Sequence, residues 1–197
     1  MNIVLYGDSN TYGYSPDGKR YENRFSNILK NKYKNYNNYE EGLVGRTTIY
    51  NDPRENRKAI DNIKETLDKY DNIDLFIIML GTNDYKINNA SNLDDVKSSM
   101  DKLLNVIIES NIIKKLLIIS PIALSKDIAI LDDNFNYNSY LLSLNSYKAY
   151  EQLAKKYNAL FFDAKDIAHP GIDGEHLNIE GHIAIANKLI DIIDDLK

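Results

Sequence analysis

Three short segments, Asn2 to Tyr6, Ile73 to Leu80 and Leu116 to Ser120, are rich in β-branched residues and almost unbroken in apolar character. A strand with one wet face alternates apolar and polar residues, whereas a strand covered on both faces does not. Such runs belong in a parallel sheet sandwiched between helices. Two weaker segments, Asn37 to Glu41 and Ala159 to Phe162, bring the expected strand count to five. Helical spacing fills the gaps. Ala59, Ile60, Ile63 and Leu67 share one helix face, and Leu93, Val96, Met100, Leu103, Leu104 and Ile107 share another. Leu141, Leu144 and Leu153 predict a third helix. Ile183, Ala186, Leu189, Ile190 and Ile193 predict the last, capped by Asn178. Strand and helix alternate throughout, which predicts an α/β three-layer sandwich with a five-stranded parallel sheet, since right-handed crossovers put helices on both faces. At 197 residues the chain is expected to form a single domain spanning 1–197. The least regular stretch, Ser125 to Ser139, reads as a loop or flap near the functional edge.

Charge and composition narrow the function. Lys and Arg number 24 against 29 Asp and Glu, a net charge of -5, so there is no global positive field to hold a phosphate backbone and no nucleic-acid partner is expected. The local basic clusters, Lys30-Asn31-Lys32-Tyr33-Lys34 and Lys114-Lys115, read as solvated helix C-termini, where cations complement the helix dipole. Cysteine is absent, which excludes disulfides, thiolate metal sites and a cysteine nucleophile. Met1-Asn2 leads straight into the first apolar run, too short for a signal-peptide core, and no run approaches the roughly 20 residues of a membrane span. These features predict a cytoplasmic protein with no membrane partner.

The chemistry gathers at the ends of the predicted strands. The first ends in Gly7-Asp8-Ser9-Asn10, the second in Gly42-Leu43-Val44-Gly45-Arg46-Thr47, and the third in Gly81-Thr82-Asn83-Asp84. After the fifth comes Asp173-Gly174-Glu175-His176. In open α/β sheets ligands bind at the carboxyl ends of the strands, so these turns bring a hydroxyl, glycine amides, a carboxamide, a carboxylate and an imidazole to one crevice. Each piece has an ordinary explanation: Ser9 or Asp8 as a helix cap, Gly45 as a turn residue, Asn83 and Asp84 as turn formers, His176 as a surface histidine. Their coincidence at one sheet edge favours ester hydrolysis, because four independent loops then each supply a residue type that the reaction needs.

In this order the four segments resemble the sequence blocks of the SGNH, or GDSL-like, hydrolases. Ser9 corresponds to the nucleophile of the first block, Gly45 to the glycine of the second, Asn83 to the asparagine of the third, and His176, preceded by Asp173, to the histidine of the fifth. More narrowly, Gly42 to Thr48, Asn51-Asp52-Pro53 and Ile77 to Asp84 resemble the small arylesterase and acetylesterase branch. Asn10 stands where the name GDSL has leucine. The resemblance implies a flavodoxin-like sandwich, a serine esterase needing no cofactor or metal, a small-molecule ester substrate and a homo-oligomeric assembly. The α/β-hydrolase alternative requires Gly-x-Ser-x-Gly, and the second glycine is missing from Gly7-Asp8-Ser9-Asn10-Thr11.

On this reading His176 takes the Ser9 proton, Asp173 orients the imidazole, and the Ser9 amide, the Gly45 amide and the Asn83 carboxamide receive the oxyanion. Gly45 would leave room for the acyl group. Asn10, Arg46, Tyr85 and Lys86 are expected substrate contacts from their adjacency, and Asp8 is expected to be structural. Short acyl groups, acetyl above all, on a polar alcohol such as a sugar are the expected substrate; a lysophospholipase or thioesterase of the same fold is the nearest alternative. A metal-assisted hydrolase could draw on Glu175, His176, Glu180 and His182, but His-x5-His is not the i, i+4 pair that one helix face presents to a metal. A non-catalytic anion-binding module would leave Asp173 and His176 without a role.

Overall fold

The computed structural model describes residues 1–196. Five strands, β1 (Asn2–Gly7), β2 (Asn37–Gly42), β3 (Leu75–Met79), β4 (Leu116–Ser120) and β5 (Leu160–Asp163), form one sheet in the order β2-β1-β3-β4-β5. Every pairing is parallel, with Gly7 opposite both Gly42 and Met79. This is the flavodoxin-like order, whose reversal between β1 and β3 opens a crevice at the strand ends.

The three central strands are buried along almost their whole length, and alternate residues serve opposite layers. Val4, Tyr6, Phe76, Ile78 and Ile118 face one core, closed by α3 (Ala59–Leu67), α4 (Leu93–Glu109) and α7 (Tyr147–Lys156). Ile3, Leu5, Ile77, Leu117 and Ile119 face the other, closed by α2 (Phe25–Lys32) and α8 (Ile179–Asp195). The unbroken apolar runs therefore follow from two cores sharing one sheet. The remaining α-helices are α1 (Ser9–Tyr12), α5 (Ile128–Leu131) and α6 (Tyr137–Asn145).

Several local expectations need correction. The third predicted helix is two helices, α6 and α7, meeting at Ser146. The serines there turn their hydroxyls back onto the chain, Ser143 to the Tyr140 carbonyl and Ser146 to that of Ser143. Leu142 faces inward while Leu141 is exposed and Leu144 only half-buried. On α8 the buried face is Ile185, Ala186, Leu189 and Ile193, with Ile183 exposed; Asn178 caps the helix, accepting from Gly181 N at 2.7 Å. Lys30 and Lys32 lie in the last turn of α2, but Lys114 and Lys115 lie beyond the end of α4 and lead into β4, where Lys114 pairs with Asp74. Among the described residues no helix is long and apolar enough to cross a membrane.

Candidate active site

The tight turn after β1 creates the centre of the site. Asp8 caps α1 by accepting from the Asn10 amide at 2.9 Å, which places Ser9 at the first helical position above the crevice between β1 and β3. The turn after Pro170 presents the other half. Asp173 Oδ1 accepts from the backbone amides of Glu175 at 3.2 Å and His176 at 3.0 Å, folding the Asp-x-x-His segment so that both side chains point the same way.

Ser9 Oγ then lies 2.9 Å from His176 Nε2, and His176 Nδ1 lies 2.8 Å from Asp173 Oδ2. An ionised carboxylate only accepts, so in the neutral ring Nδ1–H donates to Asp173 and the Nε2 lone pair faces the serine hydroxyl. Tyr14 packs against the imidazole with ring centroids 4.6 Å apart. Burial works against the imidazolium, but the Asp173 hydrogen bond and the nearby Glu175, Asp173 and Asp8 carboxylates outweigh it and raise the His176 pKa above its ordinary value. Burial likewise opposes ionisation of Asp173, and the His176 contacts more than compensate, so its pKa is lowered.

Gly45 and Asn83 line the same cavity as Ser9 and His176. Asn83 Nδ2 donates one proton to the Arg46 carbonyl at 3.1 Å, fixing the carboxamide while leaving its second N–H. Its neighbour Asp84 is buried and clasps Thr48 through the backbone amide at 2.9 Å and the hydroxyl at 2.6 Å, tying the β3 turn to the segment carrying Gly45. Burial pushes the Asp84 pKa up to about 7. Gly45 adopts φ of +77°, which favours glycine, and a Cβ there would fall 2.0 Å from Arg54 Nη2. The space its missing side chain leaves is thus filled by Arg54, contrary to the expectation that the acyl group needs it.

A cavity of about 860 Å³ joins Ser9, Gly45, Asn83, Asp173 and His176. Of the four expected substrate contacts only Lys86 lines it. Asn10 instead braces the histidine turn: its Nδ2 donates to the Glu175 carbonyl at 3.2 Å and its Oδ1 accepts from Leu177 N at 2.7 Å. Arg46 is 6 % exposed and turned inward. Its Nη1 donates to the Gly7 carbonyl at 2.7 Å, which also accepts from Leu43 N at 3.0 Å, and to the Glu41 carbonyl, and its guanidinium lies 4.0 Å from the Tyr6 ring centroid, so it joins the ends of β1 and β2. Tyr85 is 1 % exposed and belongs to the core beside Tyr150. Adjacency failed for all three because a turn sends successive side chains in different directions.

Sequence reasoning missed Tyr14, Asp52 and Arg54, which line the cavity with Glu175. Asp52 and Pro53 belonged to a recognised block, but nothing in the residue pattern aimed Arg54 at Gly45. The irregular 125–139 stretch contributes Ile130 to Asn134 to the cavity wall. His182 is fully buried: Nδ1 accepts from Phe25 N at 3.4 Å between the Tyr21 and Phe25 rings, away from Glu175. Among the described residues no three His, Asp or Glu side chains are placed to hold one metal ion.

Known proteins share this fold. A carbohydrate acetylesterase family member from Sinorhizobium meliloti superimposes with a TM-score of 0.89 at 26% identity, over 98% of this chain and 97% of that one. The M. smegmatis aryl esterase gives 0.88 at 25% identity over 100% of both chains. A putative arylesterase from Agrobacterium tumefaciens gives 0.86 at 27% identity, again over 100% of both. Comparison with curated protein sequences gives no match. Residues 5–184 match the GDSL-like lipase/acylhydrolase family, so this chain belongs to that family and to its small arylesterase and acetylesterase branch, and is a carboxylic ester hydrolase.

Proposed function

We propose that the protein is a serine esterase that removes short acyl groups, acetyl above all, from small polar alcohols such as sugars, through an acyl-enzyme on Ser9. The observation that carries the mechanism is the unbroken chain from Ser9 Oγ to His176 Nε2 and from Nδ1 to Asp173 at the floor of an open cavity. As Ser9 Oγ bonds to the ester carbonyl carbon, its proton passes to Nε2 and Asp173 stabilises the imidazolium. The carbonyl oxygen, now an alkoxide, is received by the Ser9 and Gly45 amides and the free N–H of Asn83. When the tetrahedral centre collapses, the carbon–oxygen bond to the alcohol breaks and Nε2 returns the proton to the departing oxygen. Water repeats the sequence on the acyl-enzyme, releasing the acid and restoring the Ser9 hydroxyl.

The substrate reading is supported by the wall chemistry. Asp52, Arg54, Lys86, Asp132 and Glu175 suit hydroxyl-bearing ligands and outnumber the apolar Val44, Ile130 and Leu131 on the same wall. The S. meliloti relative is a carbohydrate acetylesterase family member. The test has two parts. A fluorophosphonate should label Ser9 and not a Ser9→Ala variant. Specificity constants for p-nitrophenyl acetate, butyrate and octanoate should fall with acyl length, with acetate released from acetylated sugars. Rates that climb with chain length, without release from sugars, would move the assignment to a lipid esterase or thioesterase.

A further inference from the structure

We propose that Arg54 sets the acyl length this site accepts, by holding its guanidinium against Gly45 as a polar wall; the inference rests on the Ser9 esterase reading. The close approach is direct. The position of a Cβ on Gly45 is 2.0 Å from Nη2, 2.3 Å from Cζ and 2.9 Å from Nε of Arg54, so the guanidinium itself occupies the side of Gly45 where a residue with a side chain would put one. Gly45 is buried beneath it.

This arginine is held in place. Nε and Nη2 form a fork on Asp52 at 2.7 and 3.0 Å, and the Asp52 carboxylate, 1 % exposed, also receives Lys86 Nζ at 3.3 Å. The Arg54 amide adds a further bond to the same carboxylate at 3.1 Å. A bidentate grip on a buried carboxylate fixes the plane of the guanidinium as well as its charge. All three residues line the cavity that contains Ser9.

Substrate orientation then places the acyl group near this wall. The departing alcohol must lie beside His176 Nε2, which gives it a proton, and the carbonyl oxygen must lie among Ser9, Gly45 and Asn83. The remaining substituent of the carbonyl carbon is the acyl chain, which diverges from both His176 and the oxyanion donors into the cavity that Arg54 lines beside Gly45. An acetyl methyl needs little room there. Each added methylene has to displace the guanidinium or be buried against it, and burying apolar surface against a charge strips water from that charge without replacing it.

The experiment compares specificity constants for p-nitrophenyl acetate, butyrate, hexanoate and hemisuccinate in the wild type, Arg54→Ala, Arg54→Lys and Asp52→Asn, with fold checked by circular dichroism and Ser9 competence by fluorophosphonate labelling. In Arg54→Ala the butyrate-to-acetate ratio should rise by up to about fifteenfold, since a favourable site gains roughly fourfold for each of the two added methylenes. Asp52→Asn, which keeps the guanidinium but weakens its grip, should move the ratio in the same direction by less, and Arg54→Lys should fall between wild type and alanine. An unchanged ratio in a folded, labelled Arg54→Ala protein would overturn the inference and leave the short-acyl esterase standing. A wild type whose own rates climb from acetate to hexanoate would defeat the short-acyl reading, and with it this one. A wild type that prefers hemisuccinate to butyrate, with the preference lost in Arg54→Ala, would overturn the wall in favour of anion recognition.

Discussion

His182 offers a test that separates a structural histidine from the proposed catalytic one. Its ring is fully buried between Tyr21 and Phe25, and Nδ1 accepts the first amide of α2, a helix whose N-cap residue Arg24 supplies no side-chain cap. Burial, the Arg24 charge and, to a lesser degree, His176 disfavour the imidazolium and lower the pKa from 6.5 to about 4. The unfolded chain therefore binds this proton more tightly than the folded one, so the His182 contribution is complete above pH ~6.5 and is lost as pH falls towards ~4. At about 1.4 kcal/mol per decade of proton affinity, the loss is about 2 kcal/mol at pH ~5 and about 3 kcal/mol at pH ~4. Other groups titrate in the same range: His176, with a raised pKa, and Asp84, pushed up to about 7, both favour the folded state as pH falls. The measurement is accordingly a difference. Urea unfolding of wild type and His182→Gln should be compared from pH ~8 to ~4.5, where the glutamine retains an acceptor but does not titrate. The stability of wild type relative to the variant should fall by about 2 kcal/mol between pH ~8 and ~5, and the variant should retain esterase activity at pH ~8. A pH-independent difference would refute the buried-neutral reading, and loss of turnover in a folded variant would refute the choice of His176 as base.

Three further outcomes follow from the site. Asn83→Ala, which removes one proposed oxyanion donor and its anchor on the Arg46 carbonyl, should lower kcat about a hundred- to a thousandfold with a smaller change in KM, read from steady-state rates. The pH–rate profile should rise through a midpoint above the ordinary histidine value, and Glu175→Gln should move that midpoint down, because removing a carboxylate 3.5 Å from Nδ1 weakens the imidazolium; an unmoved midpoint would exclude Glu175 from the electrostatics of the base. Asn10→Leu, which severs both bonds to the histidine turn, should slow fluorophosphonate labelling of Ser9 and reduce kcat more than KM, whereas a loss confined to KM would restore the substrate-contact role.

How much of this was legible in the sequence depended on burial. β1, β3 and β4 announce themselves because both faces are covered, whereas β2 and β5, the two weaker strands, are the sheet edges, where one side lacks a partner and half-exposed residues such as Tyr39 and Phe161 dilute the pattern. Ser9, Asp173, His176, Gly45 and Asn83 could be singled out because each residue type at a strand end has chemical meaning. Asn10, Arg46 and Tyr85 show the limit of that approach. Adjacency fixes where a Cα lies, but the direction of the side chain depends on turn dihedrals and on which buried carbonyls it can reach, and those depend on strands that meet only in the fold. Arg54 was invisible for the same reason: its target is Gly45, nine positions earlier, across a loop whose course is set by the Asp52 ion pairs.

The same misplaced residues explain how four separate loops hold the geometry of the candidate site. Each loop is fixed to another loop or to a neighbouring strand. Asn10 ties the nucleophile turn to both sides of His176; Thr11 Oγ1 reaches the Met79 carbonyl at the end of β3 at 3.4 Å; Asp84 ties the β3 turn to Thr48; Asn83 is tied to Arg46, and Arg46 to the ends of β1 and β2. These groups are largely buried, so breaking one bond leaves an unsatisfied partner and costs about 1–3 kcal/mol rather than the smaller net value of an exposed bond. Preorganised donors assist a reaction because they need not reorient as charge develops. At the switch point of the sheet that requirement is served by Asn10, Thr11, Arg46, Thr48 and Asp84, none of which lines the cavity. Their removal should therefore weaken catalysis through loss of alignment, and rates in such variants should be more sensitive than binding.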